Sequence, residues 1–288
     1  MNKNDLEPGF IQIKDYYELW KDNFFLEMEK FSNEFITKNS DNLNYYSQKW
    51  VIDPFHQWAR QWEYPFVYNQ IQRYVSELPN NLKNYELNIL DAGSGITFFP
   101  FFIDSNIPHS IIKCCDIDRN LGNIYDKINE ISDIETNVEF FNYELQNLPF
   151  EDSFFDIIYC ISVLEHTNNF EHIVNEFHRI LKQNGLLIIT FDVSLDNKSK
   201  LSIEESTKFL KILLKRFKAH YNPLLQFNEI NMDYILSTKF IAKTNKDLLP
   251  PCNSYVKRFI SILTNFLKYR IAKCFSFKTV YCIYLNKV

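Results

Sequence analysis

The sequence predicts an α/β protein: a mostly parallel sheet with helices on both faces, a helical N-terminal addition, and a C-terminal helical insertion before the last strand. Three observations carry this expectation. From residue 86 to 193 short apolar runs alternate with amphipathic stretches, as in a parallel sheet covered on both faces. Residues 16–80 contain no alternating strand and are rich in aromatic helical patterns. The chain has only five glycines in 288 residues, and two of them stand one residue apart in "LDAGSGIT", directly after the first apolar run.

In chain order, "YYELWKDNFFLEMEKF" and "PFVYNQIQRYVSEL" are read as helices. Pro65 is expected in the first turn of the second, where its missing N–H would be unpaired anyway. "LNILD" is the first strand, followed by a helix near 97–104, and "SIIKCC" is the second, followed by the helix "RNLGNIYDKINEI". Next come the strands "VEFFN" and "FFDIIYCIS", the helix "NFEHIVNEFHRILKQ" and the strand "GLLIITFDV". Beyond residue 195 the pattern predicts a helix over about 203–218, irregular chain, a helix over about 254–272, and "KTVYCIYL" as a last, antiparallel strand. The expected organisation is a helical cap over 1–80, a ligand-binding core over 81–195, and 196–288 as the C-terminal part of the same domain. No internal repeat is visible.

Composition, 46% hydrophobic and 23% charged, is that of a globular protein, and the 17% aromatic content favours ring-lined cavities. The polar start "MNKNDLEPGF" has no basic and apolar leader pattern. No run reaches the roughly 18 apolar residues of a spanning helix. The six cysteines include no C-x-x-C pair or zinc-like spacing, so they are read as reduced thiols in a cytoplasmic protein, with no metal expected. His166, His172 and His178 recur every six residues, which on a helix does not put them on one face. From Ser206 onward the chain carries 15 Lys and Arg against 3 Asp and Glu, although the whole is net −5. Such a basic third attracts anions or is simply a solvated surface. In "YVKRFISILTNFLKYRIAKCF" (255–275) the basic amphipathic pattern suits either peripheral membrane contact or packing on its own domain. Nucleic-acid binding is not expected, because the chain is acidic and carries no basic–aromatic reader motif.

In an open parallel sheet, ligands bind beyond the carboxyl ends of the strands. Asp91 falls at such an end, and Gly93 and Gly95 make the turn that lets backbone and ligand approach closely. A dinucleotide fingerprint would need a glycine where Phe98 stands, which argues against a nicotinamide oxidoreductase. No P-loop and no G-x-S-x-G elbow is present.

The stretch Asp91-Ala92-Gly93-Ser94-Gly95-Ile96-Thr97 resembles motif I of class I S-adenosylmethionine-dependent methyltransferases, whose fold is Rossmann-like. "KCCDID", "NYELQNLPFEDSFFDIIYC" and "CISVLEH" with "FHRILKQNGLLII" follow in the family's order, so the resemblance covers residues 86–193. Thr97 stands where the family most often has a third glycine, Glu144 where an aspartate is more usual, and Gly185 is alone where a glycine pair is expected. The resemblance implies S-adenosyl-L-methionine as cofactor and a small-molecule, glycan or lipid-intermediate acceptor, anionic if the basic third lines the cleft. It places Asp91, Gly93 and Gly95 at the amino-acid end, Asp116 on the ribose, Ile117 in contact with the cofactor, Glu144 and Leu145 beside the adenine, and Ile161 at the fourth strand end. It also implies that the N-terminal part closes over the cofactor. In "DPFHQWARQWEYPF" (53–66), Arg60 would then pair with the methionine carboxylate, and Trp62 or Tyr64 would pack on the sulfonium. The alternative is that these rings are the apolar face of an ordinary helix. His166, His56 and Asp192 are the candidates for a general base. His166 is structural in many members, and Asp192 could instead cap a helix. A non-catalytic partner protein that keeps the fold is the rival of a different class.

Overall fold

Among the described residues, seven strands run side by side in one sheet, and an eighth, short strand pairs on one of them. In the computed structural model the described residues are 6–47, 53–79, 85–131, 136–198, 201–249 and 276–288. The strands are β1 (Gly9–Phe10), β2 (Leu87–Ala92), β3 (Ser110–Asp116), β4 (Val138–Asn142), β5 (Phe155–Ile161), β6 (Leu181–Ser194), β7 (Phe217–Lys218) and β8 (Lys278–Lys287). Across the sheet they lie in the order β1-β8-β6-β5-β2-β3-β4, with β7 pairing on β8; β2 through β6 pair in parallel, and β8 lies antiparallel between β6 and β1. The sheet is therefore the expected mostly parallel one, closed by the expected antiparallel last strand.

Helices cover both faces. On one lie α4 (Arg60–Glu77), α5 (Phe99–Asn106) and α6 (Leu121–Ile131) with the N-terminal helices α1 (Ile13–Leu19), α2 (Asn23–Lys38) and α3 (Asn44–Ser47). On the other lie α7 (Phe170–Ile180), α8 (Ile203–Leu214) and α9 (Pro223–Asn228); the short α10 spans Thr238–Thr244. Central strands buried on both faces read as continuous apolar runs: every residue of β5 from Phe155 to Cys160 is buried. α2 starts at Asp22, whose carboxylate accepts from the Phe24 N–H at 3.0 Å, and α8 starts at a reciprocal pair between Ser202 and Glu205.

The N-terminal helices dock through rings. Phe31 and Phe35 of α2 pack on Phe102 and Phe101 of α5 with centroids 5.3 and 5.2 Å apart, and Tyr64 of α4 lies 4.7 Å from Phe99. The Tyr16 hydroxyl donates to Gln61 Oε1 at 2.7 Å in the buried seam between α1 and α4. Phe98, the residue that replaces the fingerprint glycine, is itself 1% exposed and belongs to this ring cluster.

Several boundaries differ from the sequence expectation. α4 begins at Arg60, so Pro65 sits inside the helix and not in its first turn. The five residues before it are drawn into the helix because Gln61, Trp62, Glu63 and Tyr64 are all buried, on more than one side of it. α7 stops at Ile180 and β6 begins at once, and α8 stops at Leu214, after which Phe217–Lys218 add to the sheet. The helix expected over 254–272 lies outside the described residues.

Candidate active site

A cavity of about 1290 Å³ opens at the carboxyl ends of β2, β3 and β5. The β2–α5 turn forms its floor. Gly93 and Gly95 both adopt left-handed backbone, φ 79° and 54°, which a side chain disfavours. A Cβ on Gly93 would stand 2.5 Å from Val163 Cγ2, and one on Gly95 would collide with the Tyr46 hydroxyl. The Gly93 and Ser94 N–H groups both donate to the Cys115 carbonyl, at 2.8 and 3.0 Å, so the turn is pinned to the end of β3.

Asp116 ends β3. One carboxylate oxygen accepts from the Gly95 N–H and the other from the Asp118 N–H, each at 2.9 Å. Each oxygen keeps a further lone-pair direction for a ligand hydroxyl. Asp91 is 5% exposed at the end of β2 and lines the same cavity. Burial, the largest influence on it, pushes its carboxyl up to about 8. Ile117, Leu145 and Ile161 add apolar surface, and Ile117 is 71% exposed at the rim.

The N-terminal helices supply another wall. Tyr46, Gln57, Arg60 and Tyr64 line the cavity. Burial pushes the Tyr46 phenol up to about 12 and the Tyr64 phenol upward as well. Arg60 is the one Lys or Arg among the lining residues that are described. Its Nη1 donates to Glu63, a fully buried carboxylate. Burial works against the guanidinium charge, but the Glu63 charge prevails and holds Arg60 protonated. Beyond β5, Ser162 takes a left-handed conformation, φ 48°, unusual for a residue with a Cβ. The following Leu164–His166 forms one 3₁₀ turn. His166 lines the cavity; Glu165 turns inward, 4% exposed, with Oε1 accepting from the Asp192 N–H at 3.1 Å. Glu165 Oε2 has no hydrogen-bond partner among the described residues. Burial first, and the Asp192 charge second, push this carboxyl upward.

Of the residues expected at the site, Asp91, Gly93, Gly95, Asp116, Ile117, Glu144, Leu145, Ile161, Arg60, Tyr64 and His166 all line one cavity. His56 and Asp192 do not. The His56 ring is held by Asp53, 2.6 Å from Nδ1, with Glu29 at 3.4 Å on its other side. Asp192 is turned to Lys278, whose Nζ donates at 2.9 Å. Of the alternatives Trp62 and Tyr64, only Tyr64 lines this cavity; Trp62 lines a separate cleft with Phe10 and Phe24. Tyr46, Gln57, Ser162 and Val163 were not singled out. Gln57 lies in the 53–66 stretch and Ser162 and Val163 in "CISVLEH", but residue type alone gives none of the four a role, and folding brings them to the glycine turn.

Residues 90–189 match the family model of the methyltransferase domain. The match spans β3 to β5 with parts of β2 and β6, the same stretch whose motifs resemble those of class I S-adenosylmethionine-dependent methyltransferases. It is 44% identical over 69 residues to an uncharacterized protein of Methanocaldococcus jannaschii, a match covering 24% of this chain and 28% of the relative. It is 22% identical over 134 residues to a sarcosine/dimethylglycine N-methyltransferase of Aphanothece halophytica, covering 46% and 48%. It is 38% identical over 60 residues to a sterol 4-C-methyltransferase of Caenorhabditis elegans, covering 19% and 18%. The chain thus spans less than half the length of these relatives. Among solved structures, the 4+2 cyclase SpnF shares the fold at a TM-score of 0.50 and 15% identity, over 88% of this chain and 94% of that one. Among the described residues no helix is long and apolar enough to cross a membrane.

Proposed function

We propose that this protein is a methyltransferase that takes a methyl group from S-adenosyl-L-methionine and places it on a small-molecule acceptor. The observation that carries the reading is Asp116 at the end of β3. It is tied to the Gly95 N–H and faces the cavity beside two left-handed glycines. The residues suit the cofactor: a cradle that a Cβ would fill, a buried carboxyl at Asp91 for an ammonium group, and apolar surface at Ile117, Leu145 and Ile161 for a purine.

The bound cofactor supplies an electrophilic methyl on sulfur. The protein's part is orientation and exclusion of water. Asp116 accepts from the ribose hydroxyls, and charge-assisted bonds of this kind are the stronger ones. Glu144 and Leu145 flank the adenine. Asp91 and Arg60 hold the ammonium and carboxylate of the methionine end, and Tyr64 bounds the methyl. His166 is the candidate to receive the acceptor's proton, since His56 and Asp192 are turned elsewhere. With Arg60 the one described cation on the cavity wall, the lysine-rich C-terminal third adds no described anion-binding group there.

Calorimetric titration with S-adenosylhomocysteine tests the reading. Micromolar binding by the wild type is expected, with a loss of about tenfold or more in Asp116→Ala as its charge-assisted bonds disappear. A folded wild type that binds nothing defeats the proposal.

A further inference from the structure

The cofactor wall contains a carboxylate that does not itself reach the cavity. Glu63 of α4 is 0% exposed, and a buried carboxylate persists only where it is paired and hydrogen-bonded. Glu63 has three donors. Oε1 accepts from Ser162 Oγ at 2.6 Å and from Thr190 Oγ1 at 2.5 Å, while Oε2 accepts from Arg60 Nη1. Two of these partners, Arg60 and Ser162, line the cavity; Thr190 is wholly buried in β6. Ser162 holds the left-handed backbone that sends Val163 against Gly93. Unusual backbone of this kind survives where surrounding bonds over-determine it. One carboxylate therefore ties a helix from the N-terminal part to the ends of β5 and β6, and it fixes the cavity's described cation.

Resting on the cofactor reading above, we infer that Glu63 is a positioning residue for the amino-acid end of the cofactor: it never touches the ligand but sets the Arg60 guanidinium and the Ser162 turn around it. Its charge is essential to this role. In Glu63→Gln the amide oxygen still accepts from the two hydroxyls. Its NH2 then faces Arg60 Nη1, donor against donor. The guanidinium is freed while the hydroxyl bonds remain.

The test compares two ligands, S-adenosylhomocysteine and 5′-methylthioadenosine, which lacks the amino-acid tail. Dissociation constants are measured by calorimetry for the wild type, Glu63→Gln, Arg60→Met, the double variant and Thr190→Val, with circular dichroism as the check on folding. Glu63→Gln is expected to weaken S-adenosylhomocysteine about tenfold, as loss of a charge-assisted contact does, and to leave 5′-methylthioadenosine within about twofold. Arg60→Met should give the same split, and the double variant should lose no more than either single one, since residues acting in series are not additive. Thr190→Val removes one support of Glu63 outside the cavity, so a smaller loss, about threefold, confined to S-adenosylhomocysteine is expected. This variant decides the matter should Glu63→Gln not fold. Equal weakening of both ligands, no weakening of either, or losses that multiply in the double variant would each overturn the inference. A wild type that binds neither ligand overturns the cofactor reading, and this inference with it.

Discussion

Asp91 shows how much of the site's chemistry hangs on single groups. Its carboxyl, pushed up to about 8 by burial, holds a proton at pH 7 in the free protein. A ligand ammonium favours the ionised form, so binding below that value must expel the proton. Affinity for S-adenosylhomocysteine is expected to rise from pH 6 to pH 8 and to level where the ligand's own amine titrates. Calorimetry in buffers of different ionisation heat should show proton uptake by the buffer at pH 7, and Asp91→Asn should abolish it. Asp91, Gly93, Gly95 and Asp116 were legible in the sequence because they belong to one turn and the next strand end, where local spacing is the signal. Glu63 stands in the sequence only as one residue of the 53–66 stretch, with no pattern to set it apart. Its two hydroxyl partners lie 99 and 127 residues away in the chain, a distance no local pattern spans. His56 looked catalytic by type alone, and its carboxylate neighbours Asp53 and Glu29 account for it.

Among the elements, α8 is the one whose start is most fully specified locally. Ser202 accepts from the Glu205 N–H at 3.2 Å, and Glu205 accepts from the Ser202 N–H at 2.9 Å. Ser202→Ala is expected to cost about 1 kcal/mol of stability, read as a lower urea midpoint with unchanged slope. Strand positions in the core were legible for a similar reason, since a strand buried on both faces is a continuous apolar run. Helix ends were less so. α4 starts five residues before Pro65 because Trp62 and Tyr64 find apolar partners on two different sides, and burial of that kind outweighs a proline's preference for the first turn. α8 is cut short at Leu214 because Phe217 is buried in the second apolar layer and its backbone joins β8.

On the scale of the whole molecule, the sheet buries Glu165 and brings it beside Asp192 from the β5 and β6 ends, and the burial first and the neighbouring charge second tie stability to pH. Glu165 keeps its proton in the folded state to a higher pH than in the unfolded chain, where it leaves near about 4.3. Above that value the unfolded state therefore binds fewer protons, and stability falls as pH rises toward the folded value. Glu165→Gln keeps the shape and cannot ionise. Its unfolding free energy, read from urea titrations, is expected to vary less between pH 5 and pH 8 than the wild type's, by about 1 kcal/mol per pH unit. The position of β8 has a consequence for how the protein is made. β6 is a central strand, yet one of its two neighbours is β8, which begins at Lys278, about 80 residues beyond Ser194. At a synthesis rate of roughly 5–20 residues per second, that strand's edge waits for about 4–16 s with its N–H and C=O groups unclaimed. An exposed apolar edge is a template for pairing with other chains. Newly made copies should therefore lean on chaperones during that interval, and slow stretches of message between codons 195 and 278 should lower the yield of soluble protein.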